Sequence, residues 1–591
     1  MTLTTKPVPL DVESYPNYFL VCVGEKSFEA RGKNAKVDLA DDLLDALRGP
    51  TYGFNSNRYD LLMLRYMLNG ATVAELNRLS HDIIGAGHKR KELYERYDLN
   101  CGWVRFEHID LIEPAPSVFV SLKKYGARMH APAIVDLPYP PDTELTPAQM
   151  DEVLKYCQVD LELTAMLFEQ IKPRLELRVL TSQWLSQSTG TPQMDLRSKS
   201  DPQIAEAVLF AKIRNAAYPR SMPRIVRCTL PDFIQFSNPD LNDLVTKLRC
   251  HRFDINHNNG QVIPPHWLTP VEIGKGVYRP GVGGLHSSET CQSITPKSGE
   301  QLVDCDVTSY YPSIILGGNL YPEHLGKPFI HAYRELYTQR VKAKQAGEKT
   351  KADGFKIVLN GCFGKMGSPY SYLYAPDKLL SVTLTGQLCL LMLIEALELA
   401  GIEVVSANTD GVVSLIGKGC VRRYRGVLKR WEADTGFNLE TTRYASLHSR
   451  DVNNYLAVKM DGDTKGKGVF AETGLMKDPS GQIVPTAVKN YLVKGTPLKT
   501  TINRCKDIRE FIYVRNCTGG AMWKNCHIGK TVRWVYVIDG EPMYSVKRGN
   551  KVALSDGSLP VMELGPVPET LDRAKYLAQA QKLLGEVGHD I

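Results

Sequence analysis

"VVSANTDGVVSL", residues 404–415, is the stretch whose reading decides how this 591-residue chain folds. Two apolar runs rich in β-branched residues, 404–405 and 412–415, flank a polar turn. That turn carries one carboxylate, Asp410, between Thr409 and Gly411. The pattern predicts a strand, a tight turn and a returning strand. An aspartate beside a glycine at such a turn is ordinarily a turn former and nothing more. It becomes a candidate for chemistry only if a second carboxylate reaches the same place.

That second carboxylate stands upstream in "QLVDCDVTSYYPSIIL", residues 301–316. Asp306 ends a strand-like run, and Pro312 breaks the strand and can start a helix. Asp306 is therefore expected where a strand gives way to a turn, pointing into a cleft. Two carboxylates on adjacent strand ends can share two divalent cations, and magnesium favours a few carboxylates plus substrate phosphates and water. Two metals about 3.5–4 Å apart stabilise the attacking and leaving oxygens of an in-line phosphoryl displacement. Between the two acids lies "KIVLNGCFGKMGS", residues 356–368. Lys356, Asn360 and Gly364 recur four apart and share one helix face. Such a face suits a nucleoside triphosphate and its base. Before it, "YRELYTQRVKAKQ" (333–345) supplies Arg340, Lys342 and Lys344 on another predicted helix. Arg340 offers a planar fork for a phosphate. Taken singly, either helix reads as a solvated basic surface.

Composition bounds the setting. The length implies several domains, and 43% hydrophobic with 23% charged residues is ordinary for a globular protein. The 13 cysteines form no C-x-x-C pair and no Cys/His cluster, which argues against a structural zinc or iron–sulfur site and for reduced thiols. The N-terminus lacks the basic and apolar regions of a signal peptide. "LLSVTLTGQLCLLMLIEALELAGI" (379–402) contains Gln387, Glu395 and Glu398, so it is expected as a buried helix ending at Gly401 rather than a membrane span. The net charge is +7, but residues 450–551 hold 18 Lys/Arg against 9 Asp/Glu, interleaved with Tyr455, Tyr491, Trp523, Trp534 and Tyr536. A basic, aromatic face of this kind suits a phosphate backbone.

The three stretches together resemble motifs A, B and C of the family B DNA polymerases, D-x-x-S-L-Y-P-S-I-I, K-x-x-x-N-S-x-Y-G and Y-x-D-T-D-S. Here they read "DVTSYYPSII", "KIVLNGCFG" and "SANTDG", in the same order. The resemblance implies that Asp306, Val307 and Asp410 bind metal, that Arg340 and Lys356 contact the incoming triphosphate, that Asn360 lies on the nucleotide-facing helix, and that Tyr311 excludes a 2′-hydroxyl. Departures stand at Asn408, Gly411, Phe363 and Tyr310, where the family has Asp, Ser, Tyr and Leu. Asn408 supplies no charge but still hydrogen-bonds.

A second acidic set stands at the other end. Asp11 and Glu13, in "LDVESYPNYFLVCV", alternate on a predicted strand and so share a face. "YGFNSNRYDLLML" contributes Asn55 and Asp60, and "YCQVDLELTAML" contributes Tyr156 and Asp160 on a predicted helix. In this order they resemble the three exonuclease motifs of the DEDD 3′–5′ exonucleases, which have a ribonuclease H-like fold. The resemblance implies Asp11, Glu13, Asp60 and Asp160 as metal ligands, Tyr156 orienting the attacking water, and Asn55, Ser121 and Lys123 on single-stranded DNA. "YRPGVGGLHSS" (278–288) resembles the family's Y-x-G-G linker, implying template contact by Tyr278, Gly283 and Gly284. "VNNYLAVKMDGDTKGKGVF" (452–470) resembles the thumb's K-K-x-Y element. It keeps Tyr455 but has Val452 and Asn453 at the lysine positions. Lys459, Lys465 and Lys467 are then the candidates for DNA-facing charge.

The implied architecture is α/β and α+β multidomain: a ribonuclease H-like exonuclease domain over 1–180, a connecting region over 181–297, palm over 298–329 and 376–449, fingers over 330–375, and thumb over 450–591. The implied activity is DNA-directed DNA synthesis with 3′–5′ proofreading. It would use two Mg²⁺ per site, with Mn²⁺ able to substitute. The partners would be primer–template DNA, dNTPs, single-stranded DNA and replication accessory proteins, with no membrane, in the cytoplasm. The short intervals 306–356 and 360–410 and the early position of Asp11 suggest a compact phage or prophage type without protein-primed insertions. Two other readings stay open: a catalytically inactive DNA-binding polymerase fold, and a nuclease with a degenerate polymerase half.

Overall fold

A computed structural model describes residues 6–85, 90–99, 106–116, 120–213, 218–219 and 221–589. Residues 1–5 of the N-terminus and 117–119 of the segment beside Ser121 lie outside that set.

The alternation around Asp11 builds the strand Val8–Tyr15. It pairs antiparallel with Tyr18–Val23, which pairs antiparallel with Lys26–Arg31. On its other edge it pairs parallel with Thr51–Gly53, which pairs parallel with His108–Asp110. The result is a mixed five-stranded sheet. Asp60 starts the helix Asp60–Leu68. Asp160 lies on the helix Pro147–Thr189. Thr146 caps that helix reciprocally with Gln149, Pro147 opens it, and Gly190 closes it at φ 67°.

This helix corrects one expected boundary. It runs unbroken through residue 180, and its second half belongs to the neighbouring unit. Arg178, fully buried, bonds Asp201 at 2.7 Å and the Lys199 carbonyl at 2.9 Å. That ties it to the helix Asp201–Lys212.

The turn at Asp410 lies in a larger antiparallel sheet. In spatial order it runs Thr464–Lys467, Asn454–Lys459, Leu439–Asp451, Gln301–Val307, Gly411–Ile416, Glu403–Asn408, His286–Ser287, Gly276–Arg279, Val271–Ile273. Thr290–Ile294 adds a further pairing to Leu439–Asp451. The sheet therefore takes strands from both sides of the expected boundaries at 297 and 449. The backbone ladder continues through Leu439–Asp451 and across to Lys467, which moves those hairpins from the expected thumb into the sheet.

Against the sheet packs Pro376–Leu399, the apolar helix expected to be buried. Among the described residues it is the one helix long and apolar enough to cross a membrane, and 83% of its most apolar window is buried inside the protein. Its polar residues are used internally. Glu395 accepts from the Ser237 and Asn238 amides, both at 2.8 Å. Helices Lys327–Gln345 and Lys349–Lys365, which lie between Asp306 and Asp410 in the sequence, pack on each other. Beyond Lys467, helices Ile483–Lys494, Leu498–Arg504 and Arg573–Glu586 and the sheet of Tyr513–Asn516, Thr531–Glu541 and Ser558–Pro560 share a separate core.

Candidate active sites

Register brings the first acidic pair together. Asp306 lies directly opposite Gly411 in the ladder, so Asp306 and Asp410 stand at adjacent strand ends. The Val307 amide donates to the Asp410 carbonyl at 2.7 Å, closing the turn. Thr409 takes the left-handed conformation, φ 45°. Both carboxylates line a cavity of about 260 Å³ with Asp304, Tyr455, Lys465 and Lys467. Burial, then the nearby Asp304, pushes the Asp306 carboxyl up to about 6, and burial raises Asp410 as well. Two carboxylates at adjacent strand ends, open to one cavity, offer the hard oxygen donors that magnesium takes, so Asp306 and Asp410 fit a divalent cation.

Gly411 explains itself. A Cβ there would stand 2.2 Å from Asp306 Oδ1, so a serine in this backbone would displace the carboxylate. Asn408 is equally specific. Its Nδ2 donates to the Val452 carbonyl at 3.2 Å, and its Oδ1 accepts from the Thr409 hydroxyl at 3.0 Å. An aspartate would set a carboxylate oxygen against the Val452 carbonyl.

The helix pair supplies the next wall. Lys356 and Asn360 are exposed and Gly364 lines a second cleft, while Phe355, Val358, Leu359 and Cys362 on the opposite face are buried. Arg340 donates to Ser309 Oγ at 2.5 Å. The two tyrosines of 310–311 separate cleanly. Tyr310 is buried and donates to the Gly386 carbonyl at 2.6 Å. Tyr311 stacks on Phe363 with centroids 4.2 Å apart, facing a cleft of about 630 Å³ with Gly283 and Gly284.

Tyr278 needs correction. It is 1% exposed, its ring packs in the sheet's core, and it cannot meet a template in this position. Glycines 283 and 284 do line the cleft. A Cβ on Gly284 would stand 2.5 Å from Thr409 Oγ1, so the loop's glycine is what lets it approach the Asp410 turn. Gln387, unsuspected from sequence, holds this loop: its amide donates to the Gly281 carbonyl at 2.7 Å and also to that of Gly283, while its oxygen accepts from the Gly281 amide. Lys459 is also placed differently. It pairs with Asp463 at 2.6 Å in its own hairpin, and Lys465 and Lys467 are the lysines that reach the cavity.

The N-terminal acids form a second site. One oxygen each from Asp11, Glu13 and Asp160 lie within 4.8 Å of one another, a spacing that fits a shared cation. Asp60, Asn55 and Tyr156 line the same cleft of about 800 Å³ as Asp11 and Glu13. Burial first, then Asp160, pushes Asp11 up to about 7; burial and Asp11 raise Glu13 and Asp60. Burial also raises Asp160, against the pull of Lys123.

Lys123 departs from its expected place. Its ammonium pairs with Asp160 and lies 4.3 Å from the Tyr156 ring centroid, inside the acidic cluster rather than along a strand of DNA. Ser121 caps the helix Leu122–Arg128 by accepting from the Lys124 amide. Asn55 sits at φ 62°, and its loop is organised by Asp110, which accepts from the amides of Asn55 and Asn57, both at 2.9 Å, and of Ile112 at 3.1 Å. The Cys157 thiol donates to Asp11 at 3.5 Å. Asp110, Asp304, Gln387 and Tyr444 escaped sequence reasoning. For Asp304 a signal was present: "DCD" puts it on the same strand face as Asp306.

No family model matches this chain. DNA polymerase 1 of Sulfurisphaera ohwakuensis is 24% identical over 182 residues, covering 29% of this chain. The match spans 20% of that relative's length. Among solved structures, the family B DNA polymerase from the hyperthermophilic archaeon Pyrobaculum calidifontis aligns over 99% of this chain and 78% of its own, at 15% identity and a TM-score of 0.40. Both similar proteins are DNA polymerases by name.

Proposed function

We propose that the chain is a DNA-directed DNA polymerase of family B, of compact phage or prophage type, with a 3′–5′ proofreading exonuclease in its N-terminal unit. The observation that carries the reading is the register Asp306 opposite Gly411, which joins two distant acids at one cleft floor beside a basic helix pair. The partial likeness to DNA polymerase 1 supports the same reading. The five-stranded sheet, with its acids on the first strand and on the long helix, supports the nuclease assignment. In this reading the central sheet is the palm, the pair Lys327–Gln345 and Lys349–Lys365 the fingers, and the unit beyond Lys467 the thumb.

Asp306 and Asp410, with the backbone at Val307, would hold two Mg²⁺, which would supply charge stabilisation to an in-line phosphoryl transfer. Arg340 and Lys356 bind the triphosphate as charge-assisted donors. Asn360 and Tyr311 position base and sugar, and the Tyr311–Phe363 stack stiffens the ring that a 2′-hydroxyl would meet. Gly283 and Gly284 let the template backbone come close, and Tyr455, Lys465 and Lys467 line the primer side. In the second site Asp11, Glu13, Asp60 and Asp160 would hold a metal pair that activates water for phosphodiester cleavage, and Tyr156 would orient that water. Asn55 and Ser121 guide the single-stranded 3′ end.

Primer extension tests this. A 5′-labelled primer on a longer template, with dNTPs and Mg²⁺, should lengthen to the template end. Binding of the duplex without extension would instead establish the inactive DNA-binding reading, and trimming without extension the nuclease reading.

A further inference from the structure

Asp304 is 5% exposed and lies two residues before Asp306, on the same strand face and in the same cavity wall. It accepts from the Tyr444 hydroxyl and from Lys465 Nζ, the latter at 3.0 Å. The same ammonium is 3.8 Å from Asp306. Lys465 comes from Thr464–Lys467, the edge strand of the sheet, and the remaining charges facing it are those of Asp410 and Lys467 in the cavity wall. Asn408, beside Asp410, has both polar side-chain atoms committed to Val452 and Thr409 and adds no negative charge.

The ammonium is therefore shared unequally between a buried carboxylate and the one that faces the cleft. Asp304 cannot itself be reached easily: its side chain is 6% exposed, against 44% for Asp306. A lysine resting fully on Asp306 would occupy the place of a cation and cancel the charge that attracts one. We propose that Asp304 is a positioning residue of the polymerising site: it tethers Lys465 to the cavity wall and so leaves Asp306 free for a divalent cation. The inference rests on the polymerase reading of this site. Tyr444 completes the tether by fixing the Asp304 carboxylate from the adjacent strand, Leu439–Asp451.

The test is a double-mutant cycle read by metal binding. In the full chain carrying Asp11→Ala and Glu13→Ala, which takes two carboxylates out of the other acidic cluster, Mn²⁺ is titrated and free Mn²⁺ followed by electron paramagnetic resonance. Asp304→Asn keeps shape and an acceptor for Tyr444 but releases Lys465 onto Asp306, and should weaken Mn²⁺ binding about tenfold. Lys465→Met, at a side chain 42% exposed, should bind Mn²⁺ at least as tightly as the parent. The double variant should return to within about threefold of the parent, because the competitor is gone. The Mg²⁺ concentration for half-maximal primer extension should shift in parallel, with the rate at saturating Mg²⁺ recovered in Asp304→Asn. Unchanged Mn²⁺ affinity in Asp304→Asn, or a loss that Lys465→Met fails to relieve, would overturn the proposal while leaving the polymerase reading intact. A parent that neither binds Mn²⁺ in this background nor extends a primer would overturn both.

Discussion

Tyr311 illustrates how a single ring can be assigned. Two tyrosines follow Ser309; in the proposed reading spacing from Asp306 selects the second, and the two rings stand in different surroundings. The Tyr310 hydroxyl is bound inside the core to the Gly386 carbonyl, whereas the Tyr311 ring faces the cleft, stacked on Phe363. Tyr311→Ala should raise the kcat/KM for ATP relative to dATP by roughly 5- to 150-fold, the equivalent of relieving about 1–3 kcal/mol of overpacking. Tyr310→Leu should leave that ratio near its original value, and a larger shift from Tyr310→Leu than from Tyr311→Ala would show that the gate is elsewhere. Asp306 and Asp410 were legible as a candidate pair because turn chemistry and strand patterning put carboxylates at strand ends, whereas Asp60 and Asp160, on helices, were singled out by the motif resemblance alone. Gln387 and the true position of Lys123 were not, since each depends on a partner far along the chain; Asp304 shared a strand face with Asp306 in the sequence, but its bonds to Tyr444 and Lys465 were not foreseeable. Tyr278 misled because a motif tyrosine beside glycines says nothing of which side of its strand is buried.

At the scale of elements, the strands and helices around each site were foreseeable, and their joints were not. The turn at Asp410, the helix after Asp306 and the helix ending near Gly401 follow from local patterns. The continuity of Pro147–Thr189 and the extension of the sheet to Lys467 depend on long-range pairing, which no local signal marks. One such joint has a functional consequence. The helix Leu122–Arg128 is held from outside by Asp478, which pairs with Arg128 at 2.7 Å and Lys124 at 2.9 Å, while its Lys123 reaches inward to Asp160. Asp478→Ala leaves a 7%-exposed guanidinium without this carboxylate and should cost about 1–3 kcal/mol of local stability. Degradation of single-stranded DNA should slow several-fold with primer extension within twofold of wild type; equal loss of both activities would contradict the coupling. A second joint is acid-sensitive. His448 is 3% exposed and within 3.0 Å of Ser293 and of His589, near the C-terminus. Burial, then His589, pushes its imidazole down to about 4 from 6.5. The unfolded chain takes up this proton first, so stability is full above pH 6.5 and is lost as pH falls toward 4, by about 2 kcal/mol at pH 5. The fall in Tm between pH 7 and pH 5 should be smaller in His448→Gln than in wild type, and an identical fall would remove this pair from the account.

For the whole molecule, the arrangement is two acidic clefts built by different elements of one chain. Asp11, Glu13, Asp60 and Asp160 belong to the five-stranded sheet and its helices, and Asp306 and Asp410 to the large antiparallel sheet. Asp410 was a turn residue by local reading and became a candidate only beside Asp306, so the central claim is one of division of labour between the two clefts. It is tested most directly by measuring both activities on the same preparations: extension of a primer–template with dNTPs and Mg²⁺, and shortening of a 5′-labelled single strand without dNTPs. Asp410→Ala should lower extension by at least about a hundredfold, beyond the 10–100-fold typical of losing a metal's supporting partner, and leave shortening at the wild-type rate. Asp11→Ala with Glu13→Ala should do the reverse. Wild-type extension by Asp410→Ala, or loss of both activities in either variant while the fold is retained, would contradict the account.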